Sequence, residues 1–171
     1  MTSRLGDDGE MSEAKIRWAE ATDDAALLEI ELTSWDGLSG FPSYLEKMGD
    51  TFFGRSGPEA HLVAEDDGVV VGYLRLEDKY PFPEGAGVLA INGLAVAPAA
   101  RGRGVAGALL TAASEEARSR GARKLSLHVF GSNTAARRLY ERHGYVVEAT
   151  HTDEFVVEGK PVDDLVLARI L

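Results

Sequence analysis

Leu94-Ala95-Val96-Ala97-Pro98-Ala99-Ala100-Arg101-Gly102-Arg103-Gly104-Val105-Ala106-Gly107 is the stretch whose reading decides the fold. It runs from an apolar strand through a proline-stopped turn and a glycine–arginine loop into the first turn of a helix. Glycine lets a backbone turn sharply and lets a ligand come close to it. The helix start offers unpaired N–H groups and a partial positive charge, so the segment reads as an anion cradle, with Arg101 and Arg103 adding charge.

Working outward on the C-terminal side, Val105, Leu109 and Ala113 form one helical ridge that Gly121 ends. Lys124 to Phe130 alternates as a strand, with Leu125, Leu127 and Val129 on one face and Ser126, His128 and Phe130 on the other. Gly131-Ser132-Asn133 breaks it and supplies a helix cap for Thr134 to His143, closed by Gly144. Val146 to Val157 and Asp163 to Leu171 read as paired strands across Glu158-Gly159-Lys160-Pro161.

On the N-terminal side, Val88 to Val96 is an almost continuous apolar strand, expected to be buried on both faces. His61 to Glu65 and Val69 to Glu77 flank an Asp-Gly hairpin turn. A short strand at Lys15 to Ala19 precedes a helix opened by Thr22-Asp23-Asp24, with Leu27, Leu28, Glu31 and Leu32 on one side. A second helix is expected over Ser43 to Phe53, with Tyr44, Leu45 and Met48 inward. Residues 1–13 have no periodicity and read as a disordered tail; 14–171 read as one α+β domain. Its two central strands, joined by a crossing helix, are expected to be parallel neighbours.

Composition narrows the function. The formal net charge of −10 disfavours nucleic acid, which needs a basic surface. The acidic clusters, Asp163-Asp164 among them, read as solvated turns and helix starts. The absence of cysteine excludes disulfides and thiolate metal sites, and no histidine pair has metal-ligand spacing. No apolar run suits a membrane span and the N-terminus lacks signal-peptide character, so the expectation is a cytoplasmic protein bound to neither membrane nor metal.

Gly102, Gly104 and Gly107 satisfy the dinucleotide fingerprint literally, but Gly121 to Phe130 holds no acid for the ribose hydroxyls. A Walker loop would need Gly-Lys-Ser/Thr, which the sequence lacks. Arg101-x-x-Gly104-x-Ala106 followed by the helix Asn133-Thr134-Ala135-Ala136-Arg137-Arg138-Leu139-Tyr140-Glu141-Arg142-His143-Gly144-Tyr145 instead resembles the GNAT (N-acetyltransferase) superfamily. With the element order, the resemblance covers residues 15–171. It implies a mixed sheet of about seven strands, splayed at its centre and flanked by about four helices. It also implies acetyl-CoA as co-substrate and transfer of its acetyl group to a primary amine.

By that resemblance, Arg101, Gly102, Arg103, Gly104, Val105 and Ala106 would hold the pyrophosphate. Leu94, Ala95 and Val96 would lie along the pantetheine arm, and Asn133 would bond that arm as well as cap its helix. Tyr140 would protonate the departing thiolate, a role a phenol can fill. Many members carry a glutamate where this chain has Asn92, whose amide can orient a group but not take a proton. The base would then be His128, with Glu77 as fallback, although His128 also reads as a strand histidine satisfied by hydrogen bonds. With no cysteine to carry an acyl group, the expected route is direct attack by the amine. A catalytically weak acyl-CoA-binding module and an interaction protein on the same scaffold are the competing classes. Acceptor choice would lie with the first two helices and their loop, where Trp35, Phe41, Tyr44, Phe52 and Phe53 line a pocket or simply pack, and with the final hairpin. The final strands offer an edge for a homodimer.

Overall fold

The computed structural model describes residues 14–54 and 56–171, so the expectation for residues 1–13 falls outside the described residues. In chain order the elements are β1 (Lys15–Trp18), α1 (Asp24–Ser34), α2 (Pro42–Glu46), β2 (His61–Asp66), β3 (Val69–Asp78), β4 (Val88–Val96), α3 (Val105–Ser119), β5 (Lys124–Phe130), α4 (Thr134–Arg142), β6 (Val146–Val157) and β7 (Lys160–Ile170). The strands form one seven-stranded sheet in the order β1-β2-β3-β4-β5-β7-β6. The α+β reading and the parallel central pair both hold.

Two apolar layers cover the sheet. On one face, Val105, Leu109, Leu110, Ala113 and Ala117 of α3 pack with Leu62, Leu74, Leu76, Leu125 and Leu127, and Tyr140 and Tyr145 extend the layer. Each fully buried valine or leucine there contributes about 1.5–3 kcal/mol. On the other face, Leu27 and Ile30 of α1 meet Val63, Tyr73 and Ala95. The hairpin between β2 and β3 turns on Asp67 and Gly68, at φ 49° and 80°, as an Asp-Gly turn of that type requires.

Four expectations need correction. The inward side of α1 is Leu27, Ile30 and Glu31, whereas Leu32 is exposed. The helix expected over Ser43 to Phe53 stops at Glu46, and Tyr44 is exposed. Tertiary contacts take over the rest of that segment: Asp24 Oδ1 accepts the N–H groups of Phe52 at 3.1 Å and Phe53 at 2.8 Å. The last hairpin turns on Glu158 and Gly159 alone, at φ 50° and 76°, so Lys160 and Pro161 already belong to β7. Finally, only the first half of β4 is closed in; from Asn92 to Leu94 it opens to a cleft.

That opening comes from the pairing. β4 and β5 run parallel only from Val88↔Lys124 to Ile91↔Leu127. Beyond Ile91, β4 stays bonded to β3, while β5 stays bonded to β7 through Phe130↔Asp164. The register between β3 and β4 slips by one residue, from Arg75↔Gly93 to Leu76↔Ile91, which makes Asn92 a bulge on β4. A bulge twists and bends its strand, and here it lies where the two central strands part.

Candidate active site

A cleft of about 750 Å³ occupies the parting. Its lining includes Asn92, Gly93 and Leu94 from β4, His128 and Phe130 from β5, and Asn133 and Tyr140 at α4. Trp35, Phe41, Tyr44 and Phe52, weighed in sequence as pocket or packing, line it as well. The ring of Phe41 stands edge-on to Phe130 at 5.2 Å and to Phe155 at 4.8 Å, so the segment before α2 reaches across to β5 and β6.

His128 is fixed by a residue that the sequence hid. Its Nδ1 lies 2.7 Å from Asp164 Oδ2, and the Asp164 side chain is 8% exposed while that of His128 is 55% exposed. Asp164, read in sequence as part of a solvated turn, is therefore buried, brought beside His128 by the β5–β7 pairing. A proton on Nδ1 shared with the carboxylate leaves Nε2 as an acceptor.

Asn92 and Glu77 form a second polar pair. Asn92 Nδ2 donates to Glu77 Oε2 at 2.9 Å, and Ser56 Oγ donates to Glu77 Oε1. Burial works to raise the Glu77 carboxyl, but these hydrogen bonds, with Arg75 and His61 nearby, outweigh it and hold the group below its ordinary value. Glu77 is thus already engaged on both oxygens, and Asn92 orients it.

Tyr140 is 9% exposed and packs edge-on to Tyr145 at 5.9 Å. Burial pushes its phenol up to about 12. Asn133 caps α4, its Oδ1 accepting from Ala136 N at 3.2 Å. The cap uses only the oxygen, so the Asn133 amide still has its NH2 to donate.

The glycine loop lies at the N-terminus of α3. Gly102 and Gly104 take φ of 75° and 81°, a left-handed backbone that glycine adopts without strain. Gly104 is the N-cap of α3, and no side chain caps it. The loop's guanidinium groups turn toward the protein: Arg103 Nη2 pairs with Asp66 Oδ2 at 2.8 Å, and Arg101 donates to the carbonyls of Val96 at 3.3 Å and Ser34 at 3.1 Å. The positive character of the loop therefore rests mainly on backbone amides. Gly107 has a different role: a Cβ there would lie 3.1 Å from His143 Nε2, so it lets α3 and α4 approach closely.

His61, Glu31 and Arg75 also line the cleft. His61 is buried at the end of β2, its Nδ1 bonded to the Gly57 carbonyl at 2.9 Å, and burial holds its pKa below the usual value. Among the described residues, no group of three or more His, Asp and Glu side chains could hold a metal ion. No helix among them is long and apolar enough to cross a membrane.

Fold and cleft together define the class: a mixed sheet that opens between its two parallel strands, beside a glycine loop at a helix start. The chain belongs to the acetyltransferase (GNAT) family, whose model matches residues 25–145. It is 37% identical over 84 residues to the uncharacterized N-acetyltransferase YhfO of Bacillus subtilis, an alignment that takes in 49% of this chain and 56% of YhfO. The chain spans about half or less of the length of the curated relatives it matches. The crystal structure of smu.2055 from Streptococcus mutans UA159 is similar over 91% of this chain and 98% of that one, with 28% identity and a TM-score of 0.76. The structure of yncA from Salmonella typhimurium, solved with its cofactor acetyl-CoA, is similar over 94% and 95%, with 25% identity and a TM-score of 0.74.

Proposed function

We propose that this chain is an acetyl-CoA-dependent N-acetyltransferase that acetylates a primary amine by direct attack. The observation that carries the reading is a meeting of three features in one cleft: the edge of β4 left unpaired beyond Ile91, the His128–Asp164 pair, and Tyr140. Family membership and the acetyl-CoA held by yncA support it.

The residues fit such a ligand. The uncapped start of α3 and the left-handed Gly102 and Gly104 suit a pyrophosphate. The unpaired edge of Leu94 to Val96 suits an amide-bearing arm, which would add to the sheet like a further strand. The Asn133 NH2 is placed to donate to that arm. Acetyl-CoA supplies a thioester, whose carbonyl carbon is the electrophile.

The chain's own groups then handle protons and charge. His128 Nε2 takes a proton from the acceptor's ammonium, directly or through water, and Asp164 stabilises the imidazolium. A backbone N–H at Val96 or a neighbour polarises the carbonyl as the new C–N bond forms. As the C–S bond breaks, Tyr140 gives its proton to the sulfur. Residues 14–171 act as a single acetyltransferase domain on this reading. The absence of cysteine suits a reducing compartment, and we read the protein as cytoplasmic.

A panel of amines incubated with acetyl-CoA, with free CoA thiol as readout, tests the proposal. Amine-dependent thiol release and a matching acetylated product are expected. Tight acetyl-CoA binding with no release for any amine would leave a binding module instead. Failure of acetyl-CoA to raise the melting temperature would remove the ligand altogether.

A further inference from the structure

Besides His128 and His61, the cleft is lined by three charged side chains, Glu31, Arg75 and Asp164, and Glu77 adjoins Arg75. The three carboxylates are already engaged. Glu31, buried, accepts the Tyr73 hydroxyl; Glu77 accepts Ser56 and Asn92; Asp164 pairs with His128. Arg75 differs. Its Nε is buried and ion-paired with Glu77 Oε2 at 3.3 Å, without a well-aligned hydrogen bond among the described residues. The Trp35 indole Nε1, lining the same cleft, is likewise buried without a hydrogen-bond partner.

Buried donors left unpaired are costly, and a guanidinium presents a planar fork that matches a carboxylate. The group here best suited to take a further anion is therefore the Arg75 guanidinium. Arg75 stands on β3 opposite Gly93 of β4, which puts no side chain between it and the gap toward β5. With strands about 4.8 Å apart, β3 and β5 lie about 10 Å apart where the sheet is closed. A long arginine side chain and a compact ligand bridge that span together. Between them the walls are apolar, formed by Phe41, Tyr44, Phe130 and Phe155.

Resting on the acetyltransferase reading above, we propose that the acceptor is a free amino acid with an apolar or aromatic side chain, its carboxylate held by Arg75 and its amine presented to His128. A protein N-terminus has the amine but carries no carboxylate on the same residue, so it offers the Arg75 fork nothing.

The test compares the standard L-amino acids with their carboxamides, and with a short peptide beginning with phenylalanine, as acceptors for the wild-type protein. The free acids are expected to show kcat/KM at least about tenfold higher than their amides, greatest for phenylalanine and its apolar relatives. Arg75→Met is expected to lower kcat/KM for the acids by about 10²-fold while leaving the amides within about threefold. Arg75→Lys, which keeps the charge without the fork, is expected to fall between. Calorimetric titration of L-phenylalanine and its amide into protein saturated with CoA reads the same preference without turnover. Binding of the acid that depends on Arg75, with no thiol release, would uphold this inference while the acetyltransferase reading fails. Three results overturn the inference: amides or the peptide serving as well as the acids, Arg75→Met reducing both series alike in a protein that melts normally, or no acid being bound or acetylated.

Discussion

Asp164 Oδ2 lies 2.7 Å from His128 Nδ1, joining a buried carboxylate to an imidazole that reaches the cleft. The same oxygen is 3.4 Å from His151 Nδ1, so two rings from two strands converge on one acid. Asp164 fixes which nitrogen of His128 faces the acceptor, and Asp164→Asn removes that control and the charge that stabilises the imidazolium. The expected loss in kcat/KM is about 10²-fold, with a similar loss in His128→Gln. Because the two residues act as a unit, the double variant should be little worse than either single one. Additive losses in a double-mutant cycle would show that the pair is not one device.

The pH dependence separates His128 from Glu77. The Glu77 carboxyl is held below its ordinary value, by hydrogen bonds and nearby positive charge that outweigh burial. Lowering favours the charged form, so Glu77 is already ionised well below neutral pH. A base of that kind gives a flat rate from there upward. A rate that climbs toward the basic side in the wild type, and no longer does so in His128→Gln, assigns the base to His128. Persistence of the climb in the variant places the base elsewhere.

Tyr140 gives the opposite sign. Burial pushes its phenol up to about 12, so it keeps its proton throughout the usual assay range and can serve as an acid there. Tyr140→Phe is expected to lower kcat by about 10²-fold, with acetyl-CoA affinity changed little in a direct binding measurement. No falling alkaline limb below about pH 11 should be traceable to this residue. Unchanged turnover in Tyr140→Phe would remove it from the mechanism.

What could be read from sequence follows from the range of the forces involved. The alternation of Leu125, Leu127 and Val129 and the glycine stop at Gly121 are local, and both were legible. So was the pairing of loop and helix motifs around Gly104 and Tyr140, which lie in contiguous runs. Asp164 was not legible, because an acidic pair beside a turn looks solvated until Phe130↔Asp164 pairing, a contact between distant parts of the chain, carries it under His128. Arg75 carried no signal in sequence, because only the parting of β4 from β5 turns its face of β3 into a cleft. The overextended second helix failed for a related reason. Helical propensity near Ser43 continues past Glu46, but Asp24 captures the N–H groups of Phe52 and Phe53 and their rings pack around His61.

Stability should respond to acid at Asp23, far from the cleft. Asp23 accepts Arg17 Nη1 at 2.8 Å and the Glu20 N–H at 2.8 Å, and Arg17 also reaches Glu65 at 2.8 Å, tying β1 to β2 and to the start of α1. The Arg17 hydrogen bond, helped by the Glu20 N–H and only partly opposed by burial, holds the Asp23 carboxyl below its ordinary value. A lowered folded-state value means that the native protein prefers the charged form more than the unfolded chain does. The resulting stability is fully present above the unfolded carboxylate value near pH 4, and it is lost as pH falls through the lower folded value. Asp23→Asn should therefore cost about 2 kcal/mol at neutral pH. In denaturant titrations the gap from wild type should close below about pH 4. A gap of constant size down to pH 2 would assign the loss to shape instead of charge.

Gly104 and Gly121 make a matched pair of probes at the two ends of α3. Their φ angles are 81° and 72°, and a Cβ built on either meets nothing within 4 Å, so an alanine at each site is strained by its backbone alone. That strain costs about 1–2 kcal/mol, and both variants should lose comparable stability in thermal melts. Their effects on the ligand should differ. At Gly104 the loop can relieve strain only by rotating the amides proposed to face the pyrophosphate, so acetyl-CoA affinity should fall about tenfold, the equivalent of about 1.4 kcal/mol. At Gly121 the relief occurs at the far end of the helix, and affinity should hold. Equal affinities in the two variants, alongside equal losses of stability, would mean that the loop amides do not hold the ligand and that the glycines serve only the turn into α3.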